Sequence, residues 1–216
     1  MIAASGASVI VLLFLLLAEK LREQKKIAGE TARKFVHITV GVFVASWPFY
    51  LSQFTMVCLS LAFLVVILVS RRYHIFYAIH NVYRKTWGDV LFPIGIGLTA
   101  VLAYNPWIFS AAILHLALAD GMAAIVGEKY GKAHAYKILG QKKTIEGTAV
   151  FYVISLLIVM ILVFLAPTGL GHVALPLLLW LPLIATMVEN IAPRGADNIL
   201  VPLTVCVILN SLVLFG

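Results

Sequence analysis

The chain consists of long apolar stretches separated by short charged ones. Runs of about 20 apolar residues match the hydrocarbon thickness of a bilayer. Only 12% of the 216 residues are charged, against roughly 25% in an average soluble domain. A water-soluble protein of this composition would have too few polar side chains to cover its surface. The sequence therefore excludes soluble folds and predicts an integral membrane protein.

The apolar stretches predict an all-α fold, a polytopic transmembrane helical bundle of about 7–8 spans. We expect residues 1–216 to form a single domain. The fourth stretch contains Pro93, Gly95 and Gly97, and is predicted to be interrupted. The eight predicted spans are 2–18, 36–50, 54–70, 90–104, 107–127, 148–166, 173–188 and 199–215.

The basic residues are confined to alternate connections between these spans. All 16 Lys and Arg lie within 19–35, 71–89, 128–147 and 189–198, and none lies in the other connections. Cytoplasmic loops of membrane proteins carry this excess, so with eight spans both termini are predicted to be non-cytoplasmic. The net charge of +7 then reflects topology, and no nucleic-acid partner is expected. We expect a multi-pass protein of a prokaryotic cytoplasmic membrane; homo-oligomerisation stays open.

Asp120 is the acidic residue that lies inside a predicted span. It is about seven residues from the inner end of that span, which is roughly 10 Å at 1.5 Å per residue. A carboxylate at this depth is costly unless it is paired, hydrated or bound to a metal. Asp120 is therefore predicted to be functional, and the alternative is a structural hydrogen bond or ion pair between helices.

Small residues and lysines follow Asp120. Gly127 and Gly131 let a ligand or a neighbouring helix approach the backbone closely, and Lys132 comes next in the chain. This pattern predicts a path by which phosphate reaches the site. The alternative is helix packing alone.

A second basic segment directly precedes the sixth predicted span. Lys142 and Lys143 supply positive charge, and Thr144 and the first amides of the helix at Gly147 can donate to anionic oxygens. Glu146 can hold a divalent cation beside those phosphates. The alternative is an ordinary basic stretch with a helix cap.

Two further clusters lie at the same predicted side. Glu189, Asp197 and Asn198 flank a break at Pro193 and Gly195 and are candidate metal or nucleotide contacts, although Asp197 can equally be a helix N-cap. Arg33, Lys34 and His37 begin the second predicted span. Arg33 and His37 are four residues apart and share a helix face. They are candidate phosphate contacts or, alternatively, snorkelling and packing residues.

These clusters, in this order, resemble the diacylglycerol/polyprenol kinase family, which includes dolichol kinase, phytol kinase and CTP-dependent diacylglycerol kinase. The resemblance runs from about residue 30 to the C-terminus. Its pieces are residues 33–37, 120–131, 143–148 and 189–198, followed by Pro202. Two positions differ from the family pattern. Ala119 precedes Asp120 where relatives often have Gly. Thr144 stands where many relatives have Ser, and threonine retains the hydroxyl group.

The resemblance implies phosphorylation of a membrane lipid alcohol at the cytoplasmic face, with CTP as donor and a divalent cation, Mg²⁺, as cofactor. The alcohol would be a polyprenol, a phytol- or farnesol-type isoprenoid alcohol, or diacylglycerol. Under this hypothesis the catalytic residues are Asp120, Glu146 and Asp197, and the metal ligands are Asp120, Glu146, Glu189 and Asp197. The nucleotide- or phosphate-binding residues are Arg33, Lys34, Gly127, Gly131, Lys132, Lys142, Lys143, Thr144, Gly147 and Asn198, with His37 as a further contact.

Two other functions are weighed against this hypothesis. Phosphatidate cytidylyltransferases resemble the family distantly, but the Glu-Ser, Lys-Arg and Gly-His-Gly-Gly elements of their signature are absent from this sequence. A small proton-coupled transporter would use Asp120 and His115 as a proton relay. Internal inverted repeats would support transport, and the sequence shows none.

Overall fold

The computed structural model describes residues 2–73, 75–80 and 86–215. Arg84 and Lys85, two of the basic residues used to predict topology, lie outside the described residues. The helices are α1 (Ile2–Glu23), α2 (Gly29–Ala45), α3 (Gln53–Tyr73), α4 (Tyr77–His80), α5 (Gly88–Leu102), α6 (Pro106–Leu114), α7 (Asp120–Tyr130), α8 (Ile145–Leu165), α9 (Ala174–Ile191) and α10 (Asp197–Phe215). A hairpin of β1 (Ala135–Ile138) and β2 (Gln141–Thr144) precedes α8.

Every predicted span is helical, so the predicted polytopic helical bundle is confirmed. Among the described residues, six helical segments are long and apolar enough to cross a membrane. The two remaining predicted spans correspond to α2, with 17 residues, and α5, with 15. The six segments are Ile2–Glu23, Gln53–Tyr73, Pro106–Tyr130, Ile145–Leu165, Leu170–Ile191 and Asp197–Leu214.

The predicted interruption of the fourth span is wrong. Helix α5 runs through Pro93 without a break, as membrane helices often do when neighbours satisfy the freed backbone groups. Gly95 serves a different purpose: a Cβ on Gly95 would lie 2.0 Å from the backbone oxygen of Asn198. The glycine therefore allows α10 to pack directly against α5.

One helical segment forms the centre of the bundle. Helix α6, a π-helical turn (His115–Ala119) and α7 are continuous. Over an apolar stretch of 18 residues in this segment 72% of the residues are buried, against 22–33% over such stretches in the other five. Phe109 and Ile113 pack into a core with α1, α2, α3 and α5, whereas Ile108 and Ala112 pack into a core with α8, α9 and α10. Asp120, the first residue of α7, thus lies between the two halves of the bundle.

The hairpin is the element that the sequence analysis missed. The sequence predicts a loop over residues 128–147, but Leu139 and Gly140 form a two-residue turn with positive φ values of 46° and 77°, a geometry that suits tight hairpins. Tyr136 lies opposite Lys143 in the antiparallel register. The hairpin is short, but it positions the lysines that precede α8.

Candidate active site

A cavity of about 650 Å³ lies where five helix ends meet. The starts of α2, α8 and α10 and the inner parts of α7 and α9 surround it, and the hairpin closes one side. The residues that line it are Ala28, Gly29, Glu30, Lys34, Asp120, Ala123, Ala124, Gly127, Glu128, Lys132, Lys142, Lys143, Thr144, Gly147, Thr148, Glu189 and Asp197. All four regions singled out in the sequence contribute to this one cavity.

Asp120 is held by two residues of α2. Lys34 Nζ donates a hydrogen bond to Asp120 Oδ2, and His37 Nε2 lies 3.3 Å from the same oxygen. The three side chains are 3–5% exposed. Because the backbone oxygen of Leu116 in the π-helical turn accepts a hydrogen bond from His37 Nε2 at 2.8 Å, this nitrogen carries a proton and faces Asp120 as a donor. A buried lysine thus compensates the buried carboxylate.

Three acids converge in the cavity although they are far apart in the sequence. Asp120, Glu189 and Asp197 each offer a carboxylate oxygen, and these oxygens lie within 4.8 Å of one another. Asp120 and Glu189 are buried and Asp197 is partly buried. Hard oxygen donors suit Mg²⁺, which is usually held by one or two carboxylates together with substrate phosphates. These residues therefore fit a divalent cation.

The hairpin brings positive charge to the same acids. Lys143 Nζ donates to the Glu189 carboxylate and, at 2.9 Å, to the Glu189 backbone oxygen. The hydroxyl of Thr144 caps α8 by accepting from the Gly147 amide at 3.1 Å. Lys142 lies beside them at the cavity surface. The segment thus combines cations with a helix N-terminus, an arrangement that attracts anions.

The glycines of this region permit close packing around Thr144. A Cβ on Gly127 would lie 2.6 Å from Thr144 Oγ1, and a Cβ on Gly131 would lie 2.4 Å from Thr144 Cβ. A Cβ on Gly147 would lie 2.9 Å from the Ala123 backbone oxygen. Gly127 and Gly147 also line the cavity, whereas Gly131 does not. The packing interpretation therefore applies to all three glycines, and ligand approach stays a prediction for Gly127 and Gly147.

Several predicted site residues lie outside the cavity lining. Glu146 is not part of the acidic cluster, because its carboxylate is hydrogen-bonded to His134 Nδ1 at 2.5 Å. Arg33 does not line the cavity, although Glu30, with which it pairs, does. Asn198 is buried behind Asp197, and its Oδ1 has no hydrogen-bond partner among the described residues.

The cavity also involves residues that sequence reasoning did not select. Glu30, Glu128 and Thr148 line it, but isolated polar residues near helix ends gave no signal. Tyr136 was missed with the hairpin; its hydroxyl donates to Asn190 Oδ1 and lies 2.6 Å from Thr148 Oγ1. The alternation of Tyr136 and Ile138 before a Leu-Gly turn is the pattern that could have revealed the strand.

His115 is engaged elsewhere in the core. Its Nδ1 hydrogen-bonds the backbone oxygen of Ala111 at 2.7 Å, and its Nε2 hydrogen-bonds Ser155 Oγ at 2.8 Å. Both ring nitrogens thus have partners other than Asp120. A proton relay between His115 and Asp120 has no direct contact to support it.

Comparison with known proteins gives one informative match. The chain is 28% identical over 193 residues to the phytol kinase of Synechocystis sp., covering 87% of this chain and 82% of the relative. No family model matches the chain, and no solved structure matches it significantly. A match of this extent to a phytol kinase confirms the resemblance to the polyprenol and phytol kinase family that the sequence motifs indicated.

Proposed function

We propose that this protein transfers the γ-phosphate of CTP to the hydroxyl of an isoprenoid lipid alcohol, with phytol as the first candidate. The observation that carries the proposal is the convergence of three acids and four lysines on one cavity at one end of an apolar bundle. The similarity to a phytol kinase supports a lipid-alcohol kinase and makes phytol the first acceptor to test.

The cationic side chains would hold the triphosphate. Lys132, Lys142 and Lys143 lie on the hairpin side of the cavity, and Lys34 lies across from them on α2. The start of α2 adds backbone amides, since it has no side-chain cap. At the start of α8 the Ile145 and Gly147 amides already donate to His134 and Thr144. Phosphoryl transfer depends mainly on positioning and on stabilisation of charge, and these groups supply both.

The acids would bind the cation and accept the proton of the acceptor hydroxyl. Asp120, Glu189 and Asp197 would hold Mg²⁺, which when bound neutralises charge on the phosphate oxygens. A carboxylate has two oxygens, so Asp120 can face the cation with one and the acceptor hydroxyl with the other. The hydroxyl oxygen would bond to the γ-phosphorus while the bond to the bridging oxygen breaks. CDP would leave with the electron pair, and the hydroxyl proton would pass to Asp120.

The direct test uses purified protein in detergent with Mg²⁺ and CTP labelled on the γ-phosphate. The acceptors are phytol, farnesol, a polyprenol and diacylglycerol, and ATP, GTP and UTP replace CTP in parallel reactions. We expect label in the lipid phosphate, unlabelled CDP as product, and loss of activity when EDTA removes the cation. Release of the label as pyrophosphate would instead indicate nucleotidyl transfer, and absence of transfer to every alcohol would refute the proposal.

A further inference from the structure

A second, apolar cavity lies on the other side of α2. It is a narrow crevice of about 70 Å³ between α1, α2, α3 and α5. Its lining is aliphatic and aromatic except at one end, where Arg33, His37 and Asp89 are found. We refer to it as the α2–α3 crevice; its apolar lining includes Val36, Val40, Phe63, Val66, Phe92 and Ile96.

The side chain of His37 lies between the polar end of the crevice and the acidic cavity. His37 lines the crevice, and its Nε2 is 3.3 Å from Asp120 Oδ2, which faces the larger cavity. The ring of His37 also packs against Phe92 at 4.4 Å between centroids. A hydroxyl group at this end of the crevice would therefore be close to the acid proposed to take up its proton.

The crevice is also continuous with the lipid-facing surface. Val66 lines it and is 39% exposed on α3. The neighbouring outer surfaces of α1 and α3 carry exposed apolar side chains, among them Leu13, Leu16, Leu61 and Val65. A molecule dissolved in the bilayer can thus reach the crevice without crossing a polar region.

The dimensions select the shape of the occupant. Four residues of α2 line the crevice, Arg33, Val36, His37 and Val40. They extend over seven residue steps, which is about 10 Å of helix. A water molecule needs about 10–15 Å³ of such space, so the crevice admits the first few carbons of one chain. A nucleoside would be too wide and too polar for it, and two acyl chains side by side would not fit.

We infer that the α2–α3 crevice binds the single hydrocarbon chain of the acceptor alcohol, with the hydroxyl end at His37. This inference rests on the proposed kinase function and adds a chain-binding site to it. The site selects isoprenoid-type, single-chain alcohols over diacylglycerol. It also separates the two substrates, because the nucleotide approaches from the acidic cavity and the lipid from the opposite side of α2.

The test narrows the crevice without touching the acidic cavity. Val66→Trp places a large ring at the mouth, and Val65→Trp, one residue earlier on the exposed surface of α3, is the matched control. Burial of each methylene is equivalent to about fourfold in affinity. We therefore expect Val66→Trp to raise the KM for a 20-carbon isoprenoid alcohol at least about tenfold relative to a five-carbon alcohol, with the CTP KM unchanged.

A five-carbon alcohol would end inside the crevice without passing Val66, so its phosphorylation tests the proposed function. The ratio of the KM for the 20-carbon alcohol to that for the five-carbon alcohol tests whether the longer chain leaves through the mouth of the crevice. If both variants still phosphorylate the five-carbon alcohol and the ratio of the two KM values is the same in Val66→Trp and Val65→Trp, the inferred chain-binding site is wrong. The proposed kinase function would not be affected by that result. Photo-crosslinking of the wild type with a diazirine-bearing 20-carbon alcohol gives a readout that does not need turnover. Labelling of α2, α3 or α5 peptides supports the crevice, whereas labelling confined to α8 and α9 would overturn it.

Discussion

Asp120 is tolerated in the centre of an apolar bundle because two residues of α2 compensate its charge. Lys34 supplies the counter-charge, and His37 supplies a donor 3.3 Å away. The nearby Glu189 and Asp197 add negative charge, which a bound divalent cation would offset. Removal of one member of a buried ion pair typically costs about 3–5 kcal/mol. Replacing the whole pair by apolar side chains is often neutral or stabilising, so the presence of the pair is consistent with a functional role.

Asp120→Asn is expected to abolish phosphoryl transfer while the protein remains folded. The amide keeps the shape of the carboxylate and can still accept from Lys34, but it cannot take up a proton or neutralise a cation. Turnover with CTP and phytol measures the first effect, and the thermal unfolding midpoint in the same detergent measures the second. Glu19→Gln, which removes an acid paired with Arg22 on α1, is the control and should retain turnover. Normal activity of Asp120→Asn would leave Asp120 with a structural role only.

Lys143→Ala is expected to weaken nucleotide binding much more than lipid binding. A hydrogen bond to a charged group contributes on the order of 1.5–3 kcal/mol, so the KM for CTP should rise roughly ten- to a hundredfold. The measurement is the KM for CTP and for lipid in one detergent preparation. Lys137→Ala is the matched control, since Lys137 is exposed on the same hairpin and does not line the cavity. A raised KM for the lipid with an unchanged KM for CTP would mean that Lys143 contacts the lipid, and that the nucleotide does not bind at the hairpin.

Two short elements adapt the helical bundle to this site. The π-helical turn before Asp120 presents the Leu116 carbonyl that orients His37, and such turns are often found at functional sites. The hairpin holds Lys142 and Lys143 over the cavity and is fastened to α8 and α9 through the Tyr136 hydroxyl. The helices supply the acids, and the hairpin supplies Lys143, which pairs with Glu189, and Lys142 beside it.

Tyr136→Phe is expected to loosen the hairpin and raise the KM for CTP about five- to tenfold, because each lost hydrogen bond contributes about 1 kcal/mol. The lipid KM should not change. Limited proteolysis at the hairpin, with and without CTP, measures its attachment directly. Tyr130→Phe removes a hydroxyl from an exposed tyrosine of α7 and should behave as the wild type. A Tyr136→Phe variant with wild-type protease resistance and CTP KM would show that the hairpin is held by other contacts.

At the scale of the whole molecule, five helix ends from distant parts of the chain meet at one end of the bundle. Alternation of helix direction brings the start of α8 beside the end of α9 and the start of α10. The basic connections lie at the same end, so the site would open to the cytoplasm under the positive-inside rule. CTP is a cytoplasmic compound, and a site on this side would have direct access to it.

Residues 24 and 168 are expected on opposite sides of the membrane. Gln24→Cys lies in a basic connection and Thr168→Cys in one without Lys or Arg. Both are made in a Cys58→Ser background, because Cys58 is exposed whereas Cys206 is buried. An impermeant maleimide applied to intact cells should label position 168 and reach position 24 only after permeabilisation. Labelling of both positions in intact cells would refute the predicted topology.

The amino-acid sequence by itself determined the membrane location, the positions of the apolar helices and many of the residues that line the cavity. These depend on length, hydropathy and the distribution of charge, which are properties of the chain read in order. Asp120 stood out because an acid in an apolar span is costly. The motifs around Lys143 and Asp197 added the rest of the acids and cations.

Only the tertiary structure decided which of those residues meet. Glu189 and Asp197 join Asp120, whereas Glu146 turns to His134 and Arg33 to Glu30. A helix that is apolar on every side does not reveal by its sequence pattern which face is turned inward. The rotation of α8 about its axis is set by the close contact at Gly127 and by the hairpin, and that of α2 by the contacts of Gly41 with Ala117 and of Gly121 with Ile38. These rotations decide which residues line the cavity. Those contacts join residues distant in the chain, so they become known only when the helices are packed together.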